Sequence, residues 1–509
     1  LSSGSSEVDD LLVWNDIDWF LPQLVLVAFA LAMPALDYLF KDKRALSLIA
    51  LVPLVVLGLL TVAWMFLGEW TPAASRTPLF DVNAFSGLFL LVFVVVGIIV
   101  VLSSPEFIRS DRNQGEYYAL ILLAITGMSV VAESADLIAL FVGLEIAGIS
   151  SFALSGFRKT ERRSAEAATK YFIVGGFSSA LTLFAISLFY GVAGTTNIAA
   201  IGAALSGPFP SGSWVGDADP VILLGAVLLL AGLGFKIAMV PFHMWAPDVY
   251  EGAPTPISGL LAAASKKMGF AAFFKVFLIG IVVSKADWDV AVGILAIVTM
   301  TVGNLIAVSQ TNIKRMLAYS SIAQAGYILI ALPVASQYAL AGGIFHILTH
   351  AFMKSGAFMI VAAMGAVAIG ERLDDFKGLS RRSPFLAFSM TIFLLSLAGI
   401  PPLAGFASKF VLFSSAVYGS FEPGHGWLIW LAIAGVLNSA LSLYYYARVI
   451  KYMYMEKGVQ DRVRVPPMQA VAILFALVMV FLIGIFPDSF VAVCRDAAST
   501  FTGLLSGWP

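Results

Sequence analysis

The chain has 509 residues, enough for several soluble domains, but 60% of it is hydrophobic and only 12% charged, with a mean hydropathy of +0.93; this excludes a soluble fold and calls for a polytopic helical membrane protein. The net charge of -1, from 30 Lys+Arg and 31 Asp+Glu, leaves no global basic field to hold nucleic acid. The single cysteine, Cys494, excludes an internal disulfide and any cysteine-ligated iron-sulfur cluster within the chain.

The stretch from Leu1 to Phe20 is acidic (Glu7, Asp9, Asp10, Asp16, Asp18) and lacks the basic n-region of a signal peptide, so it reads as an exposed leader. Apolar runs between polar or Gly/Pro punctuation then predict helices near 20–40, 45–67, 83–103, 117–133, 136–157, 165–191 and 220–247. Seven more follow near 254–284, 287–309, 314–333, 337–370, 384–418, 427–453 and 468–488, making fourteen.

Charge tests that count, because loops on the cytoplasmic side carry the excess Lys and Arg. If the N-terminus lies outside, the inner loops hold Lys41, Lys43, Arg44, Arg109, Arg112, Arg158, Lys159, Arg162, Arg163, Lys314, Arg315, Arg372, Lys377, Arg381, Arg382, Arg448, Lys451, Lys457, Arg462 and Arg464. The opposite side carries only Arg76, Lys285 and Arg495. A miscounted helix would invert every later loop and destroy this asymmetry. The expected topology therefore has both termini on the outer side of an energy-transducing membrane, most readily a prokaryotic inner membrane.

Seven lysines remain inside predicted helices: Lys170, Lys236, Lys266, Lys267, Lys275, Lys354 and Lys409, together with Glu145, His243, His346 and His350. A charge at the bilayer centre costs at least about 2.5 to 3.5 kcal/mol on insertion scales. Lys170 and Lys275 can reach a helix end or a partner helix by snorkelling. Glu145, Lys236, Lys266 and Lys409 sit close to the middle of their apolar stretches, which argues for function. Glu145, in FVGLEIAGIS, is the acid nearest a helix middle; Asp37 lies close to an inner end. Lys236 is its natural partner, either as a static salt bridge or as a titratable pair in which each member's protonation depends on the other.

Lys266 and Lys267 are adjacent and about 100° apart on a helix, so one is expected on a polar axis and the other nearer solvent or a neighbour; Lys266 is taken as the axial one. His346, His350 and Lys354 recur at i, i+4 and i+8 in FHILTHAFMK and share one face. HILTH lacks the glutamate of HExxH and no third ligand is evident, which leaves a packing pair or a titratable relay rather than a metal site.

Proline interrupts two spans beside a lysine: GFKIAMVPFHMW, with Lys236 before Pro241, and LAGIPPLAGFASKF, with Lys409 after Pro401 and Pro402. Such breaks are tolerated in lipid only where they face protein or water, and paired breaks point to a transport path. They fall in predicted helices seven and twelve. A five-helix unit has odd parity, so helices four to eight and nine to thirteen form two inverted repeats. The expected fold is all-α and polytopic, divided into 1–115 (leader and helices one to three), 116–285, 286–455, and 456–509 (helix fourteen and tail). The row Glu145, Lys236, Lys266, His346, His350, Lys354 and Lys409 suits protons better than sodium, which prefers clustered carboxylates and carbonyls.

The stretches GEYYALILLAITGM, DLIALFVGLEIAGISSFALSGF, EAATKYFIVGGFSSAL, GFKIAMVPFHMWAPDVYEGAPTPISGLLAAASKKMGF, TNIKRMLAYSSIAQAGYILI and FLLSLAGIPPLAGFASKF resemble the antiporter-like membrane subunits of respiratory complex I, of the subunit N (mitochondrial subunit two) type, over roughly residues 80–455. The resemblance implies a proton-pumping subunit of an NADH:quinone oxidoreductase, with no redox centre of its own. It places the family's helix-five glutamate at Glu145 and its lysines of helices seven, eight and twelve at Lys236, Lys266 and Lys409. Flavin or deazaflavin, iron-sulfur clusters and quinone then belong to partner subunits, and the partners are other antiporter-like and small membrane subunits within the lipid. The histidines in FHILTHAFMKSGAF depart from the usual subunit N pattern toward sister subunits M and L. A multi-subunit cation/proton antiporter and a non-conducting structural subunit are the alternatives.

Overall fold

The computed structural model describes residues 17–40, 42–67, 79–206, 220–367, 370–458 and 462–501. The acidic leader up to Asp16, and the loop cations Lys41 and Arg76, lie outside the described residues.

In chain order the first helices are α1 (Ile17–Leu39), α2 (Arg44–Leu67), α3 (Ala84–Ser103), α4 (Gln114–Glu133), α5 (Leu137–Ser155) and α6 (Arg162–Ala193), then the short α7 (Ile198–Leu205). The seventh predicted span stops early, as α8 (Pro220–Ile237), and resumes as α9 (Trp245–Gly252). The eighth is α10 (Thr255–Leu260) and α11 (Lys266–Lys275), each followed by a wider π-helical turn, Leu261–Ser265 and Val276–Gly280. Next come α12 (Lys285–Ser309), α13 (Ile313–Leu329), α14 (Ala331–Val334) and α15 (Gln337–Ala366). After α16 (Leu379–Arg382), the twelfth span is two half-helices, α17 (Pro384–Ala398) and α18 (Ala404–Gly419). The chain closes with α19 (Ile429–Tyr454), α20 (Pro467–Ile485) and α21 (Pro487–Ser499).

Among the described residues twelve helices are long and apolar enough to cross a membrane. Adding the divided eighth and twelfth spans gives the fourteen expected. Proline explains one division: Pro401 and Pro402 lie between α17 and α18 and remove two backbone donors.

The two repeats are visible in matched contacts. In the first, a Cβ on Gly127 of α4 would lie 2.7 Å from the Gly143 carbonyl oxygen and 2.4 Å from the Ala147 nitrogen of α5. In the second, a Cβ on Gly303 of α12 would lie 2.9 Å from the Tyr319 carbonyl oxygen and 2.7 Å from the Ala323 nitrogen of α13. Small residues let these backbones touch, as membrane helix pairs require in the absence of a hydrophobic drive. The entry to each repeat's second helix matches too. Asp136 caps α5 and Asn312 caps α13 through their side-chain oxygens, and each makes an isolated antiparallel bridge, to Asn197 and Arg372 respectively.

The breaks also correspond. Ala238 (φ 57°) precedes Pro241 by the same three residues that separate Gly399 (φ 92°) from Pro402, and the Val240-Pro241 and Pro401-Pro402 bonds are both cis. The left-handed region favours glycine, and only the second repeat supplies one.

Burial is uneven. The most apolar windows of α13 and α15 are 94% and 100% buried, whereas α6 and α19 leave two thirds of theirs at the periphery, with Phe177, Phe184, Trp430 and Leu437 turned outward. An exposed apolar belt around a buried centre is what lipid as solvent demands. The helix carrying His346, His350 and Lys354 is therefore the axle of the molecule.

Candidate functional site

On α5, Glu145 is partly buried and accepts a hydrogen bond of 2.5 Å from the Ser179 hydroxyl of α6. Lys236 lies at the end of α8, where the helix stops, and its Nζ is 3.6 Å from Glu145 Oε1 and 3.5 Å from the Leu144 carbonyl oxygen. The expected pair is formed. It is long enough that the carboxylate's shorter bond is to Ser179, so the ion pair is not the tightest contact either group could make.

The two lysines that open α11, Lys266 and Lys267, are buried, each with about 1% of its surface exposed. Lys267, rather than Lys266, reaches the next group: its Nζ is 2.5 Å from Nδ1 of His350. The Lys266 ammonium instead faces the Tyr250 ring, 5.4 Å from its centroid, and has no hydrogen-bond partner among the described residues. The 100° between neighbours sends one amine to α15 and the other toward Tyr250 of α9, a choice that depends on which helices stand beside α11.

Along α15 the three groups of the predicted stripe share a face but have separate partners. The His350 and His346 rings are 6.1 Å apart. His346 bonds Ser408 through Nδ1 at 2.9 Å and the Gln324 side-chain oxygen through Nε2 at 2.8 Å. Gln324 donates its amide to the Leu397 carbonyl at 3.1 Å, which also accepts from Lys409 Nζ at 2.8 Å. Polar contacts thus run in two stretches, from Lys267 to His350 and from His346 through Gln324 and the Leu397 carbonyl to Lys409, with the two histidine rings side by side between them. Lys354 turns aside to the Leu317 carbonyl (2.9 Å) and Ser320 (2.6 Å), and Ser320 meets the Tyr446 hydroxyl.

Lys409 shows what the second break is for. Its Nζ also contacts the Ala398 carbonyl at 3.2 Å and Ser439 at 2.6 Å, and lies 4.8 Å from the Tyr327 ring centroid. Ending α17 at Ala398 leaves its last carbonyls without helical donors, and a cation at a helix C-terminus satisfies both their hydrogen bonding and their dipole.

The two lysines read as snorkelling have local partners. Lys170 bonds Asp248 at 2.6 Å and Glu166 at 2.7 Å on the arginine-rich face. Lys275 donates to the Ser134 carbonyl at 2.8 Å near the opposite face. Sequence reasoning placed Lys267 off the axis and missed Gln324, Ser408, Ser320 and Ser179, and also Glu133, a buried acid at the end of α4 held by Gln23 at 2.5 Å. A lone amide such as Gln324 within the apolar α13 was the one available signal. The hydroxyls carry none, since Ser is common in membrane helices. Among the described residues no three His, Cys, Asp or Glu side chains converge as metal ligands.

The chain matches the protein family described as NADH:quinone oxidoreductase/Mrp antiporter, TM, over residues 134–442, a span that takes in Glu145, Lys236, the α15 face and Lys409. It is 44% identical over 501 residues to the F(420)H(2) dehydrogenase subunit N of Methanosarcina mazei, covering 95% of this chain and 99% of that one. It is 40% identical over 452 residues to the NADH-quinone oxidoreductase subunit N of Trichlorobacter lovleyi, covering 88% and 89% of the two chains. Among solved structures, a chain of respiratory complex I from Thermus thermophilus superposes with a TM-score of 0.76 at 29% identity, covering 93% of this chain and 99% of that one.

Proposed function

The chain belongs to the NADH:quinone oxidoreductase/Mrp antiporter membrane family, and from that premise we propose that it is the proton-translocating subunit N of a complex I-like assembly, moving protons along its midplane axis under the drive of redox chemistry in other subunits. The observation that carries this reading is the buried succession of Lys267, His350, His346, Gln324 and Lys409 along the most buried of the described membrane-spanning helices, hydrogen-bonded throughout except between the two neighbouring histidine rings. Static packing needs no such succession of exchangeable groups.

In this mechanism an electrostatic or conformational push separates Glu145 from Lys236. Lys236 then gives its proton toward Lys266 and Lys267, the helix α15 histidines pass it on, with Lys354 as a side branch, and Lys409 exchanges with the outer side. Moving one charge against 100 mV costs about 2.3 kcal/mol; redox chemistry in the partner subunits supplies it, and opening and closing of the Glu145/Lys236 pair only transmits it. The functional units are 116–285 and 286–455, each one repeat, flanked by 1–115 and 456–509. Both termini lie outside, with the arginine-rich loops in the cytoplasm. Flavin or deazaflavin, iron-sulfur clusters and quinone reside in partner subunits. One relative is named for F(420)H(2) and another for NADH, and the same membrane axis serves either donor arm.

Two variants test the axis in the assembled complex in vesicles. Lys236→Ala and Glu145→Gln each abolish donor-driven acidification followed with a pH-sensitive dye; full acidification with either would sink the assigned roles. Gentle extraction followed by mass spectrometry and iron-sulfur EPR is expected to find sister membrane subunits and redox centres with this chain. Copurification of small membrane subunits alone would move it to the cation/proton antiporters.

A further inference from the structure

Glu145, Gly148 and Phe152 recur at i, i+3 and i+7 of α5, so they share one face. A Cβ on Gly148 would stand 3.3 Å from Lys236 Nζ and 3.6 Å from Phe152 Cζ. The glycine therefore leaves the lysine amine and the edge of the phenylalanine ring neighbours of one small space. Beyond the ring, on the arginine-rich face, a cavity of about 730 Å³ opens between the starts of α4 and α6 and the end of α5. Its mouth carries Asp111, Glu116, Arg158 and Glu161, and Phe152 lines its inner part. Arg158 is held there by Asp111 at 3.3 Å and Glu161 at 3.4 Å.

Phe152 is thus the side chain that borders both the cavity and the seat of Lys236. Its surroundings are built for a ring. A Cβ on Gly175 of α6 would fall 2.4 Å from Phe152 Cζ, so the glycine provides the slot the ring occupies. The ring meets Tyr171 edge-on at 4.6 Å; Tyr171 stacks on Trp245 at 4.4 Å, and Trp245 lies 4.9 Å from Phe235, the residue before Lys236. An aromatic wall therefore separates the ion pair from the face where the loop charges lie. Charged groups at the mouth offer water the two to four partners it needs, and the volume far exceeds the roughly 30 Å³ a water occupies. The ring offers water nothing, and apolar constrictions of this kind close by dewetting.

We infer that this cavity is the inlet through which protons reach the Glu145/Lys236 pair from the arginine-rich face, and that Phe152 is its gate. The inference rests on the proton-translocating reading of that pair. Rotation of the ring out of the Gly175 slot connects cavity water to Lys236, a proton adds to whichever member of the pair is unprotonated, and return of the ring isolates it. Phe152 handles no proton and acts by position.

The test uses the assembled complex in vesicles, with passive proton conductance measured under an imposed potential and no electron donor. Phe152→Ala is expected to raise that conductance about tenfold, a barrier drop of about 1.4 kcal/mol. Adding Lys236→Ala to it is expected to return the conductance to the wild-type level, which loosened packing alone would not do. Phe152→Trp keeps the leak low and slows donor-driven pumping. A Phe152→Ala conductance equal to wild type, or one unchanged by Lys236→Ala, overturns the inlet. Should Phe152→Ala fail to assemble, Ala168→Cys on the cavity wall decides: a membrane-impermeant thiol reagent is expected to label it from the arginine-rich face and slow pumping, and labelling without slowing, or no labelling, overturns the inference. Full pumping by Lys236→Ala alone overturns the underlying axis, whereas loss of pumping there with wild-type behaviour of every Phe152 variant overturns the inlet only.

Discussion

Lys266 and Lys267 are the same residue type one peptide apart, yet one faces a tyrosine ring and the other bonds a histidine. Direct contact with His350 gives Lys267 the link to α15, so Lys267→Ala is expected to impair donor-driven acidification at least as strongly as Lys266→Ala; a Lys267 variant that pumps normally would return the link to Lys266. Gln324 is as exposed to substitution. Gln324→Leu removes one of two donors to the Leu397 carbonyl and leaves His346 Nε2 without a partner, and a buried group left unpaired costs about 1 to 3 kcal/mol. The expected outcome is a lower thermal midpoint together with slowed pumping, read by unfolding in detergent and by vesicle acidification. The charged members of this line were legible in the sequence because charge is conspicuous in an apolar helix. The residues that connect them were not, because a Ser or Gln in a membrane span announces neither its facing nor its partner, and Glu133 escaped because it sits at a helix end and meets Gln23 across the bundle.

Elements, by contrast, were read almost whole. Hydropathy sets where a span lies, since lipid penalises every unpaired backbone group, and the prolines marked the twelfth break. The π turns flanking α11 were not visible, because a widened turn keeps the same apolar pattern and is decided by what packs on it. Close backbone contact between α4 and α5 depends on Gly127. Gly127→Leu is expected to lose assembled complex on native gels, since overpacking, with the off-rotamer side chains and backbone shifts it forces, costs typically about 1 to 3 kcal/mol or more. Gly176→Ala is the control: a Cβ there meets nothing within 4 Å, and assembly should be unchanged. The half-helix α9 is tied across the repeats, with Asp248 bonding both Lys170 of α6 and Arg315 of α13, the latter at 2.7 Å, and Glu251 also bonding Arg315 at 2.9 Å. These partly exposed pairs act as a network, and networks of shared charges contribute where isolated surface pairs do not.

At the scale of the molecule the distribution of cations predicts an orientation that labelling can test. Cys494 is buried, so engineered cysteines report sidedness without background. Arg381→Cys, in the short α16, is expected to react with an impermeant reagent only from the cytoplasm, and His425→Cys, between α18 and α19, only from outside; the reverse pattern would invert the topology. The five-helix repeat was also legible from the spacing of the two proline breaks. Its atomic basis, the matched glycine contacts and caps, required the structure because no sequence motif marks which glycine faces which helix.

A two-fold axis lying in the membrane would make the path inward identical to the path outward. The backbone obeys that equivalence at its breaks, where Ala238 matches Gly399 and Pro241 matches Pro402. The lysines do not: Lys236 precedes its break, while Lys409 follows its own and the residue standing where Lys236 would repeat is Leu397. One half therefore presents its amine to a carboxylate, the other to freed carbonyls. The scaffold is symmetric at its breaks and the side chains are not, so the two halves are chemically distinct within this one chain, before any partner subunit is attached.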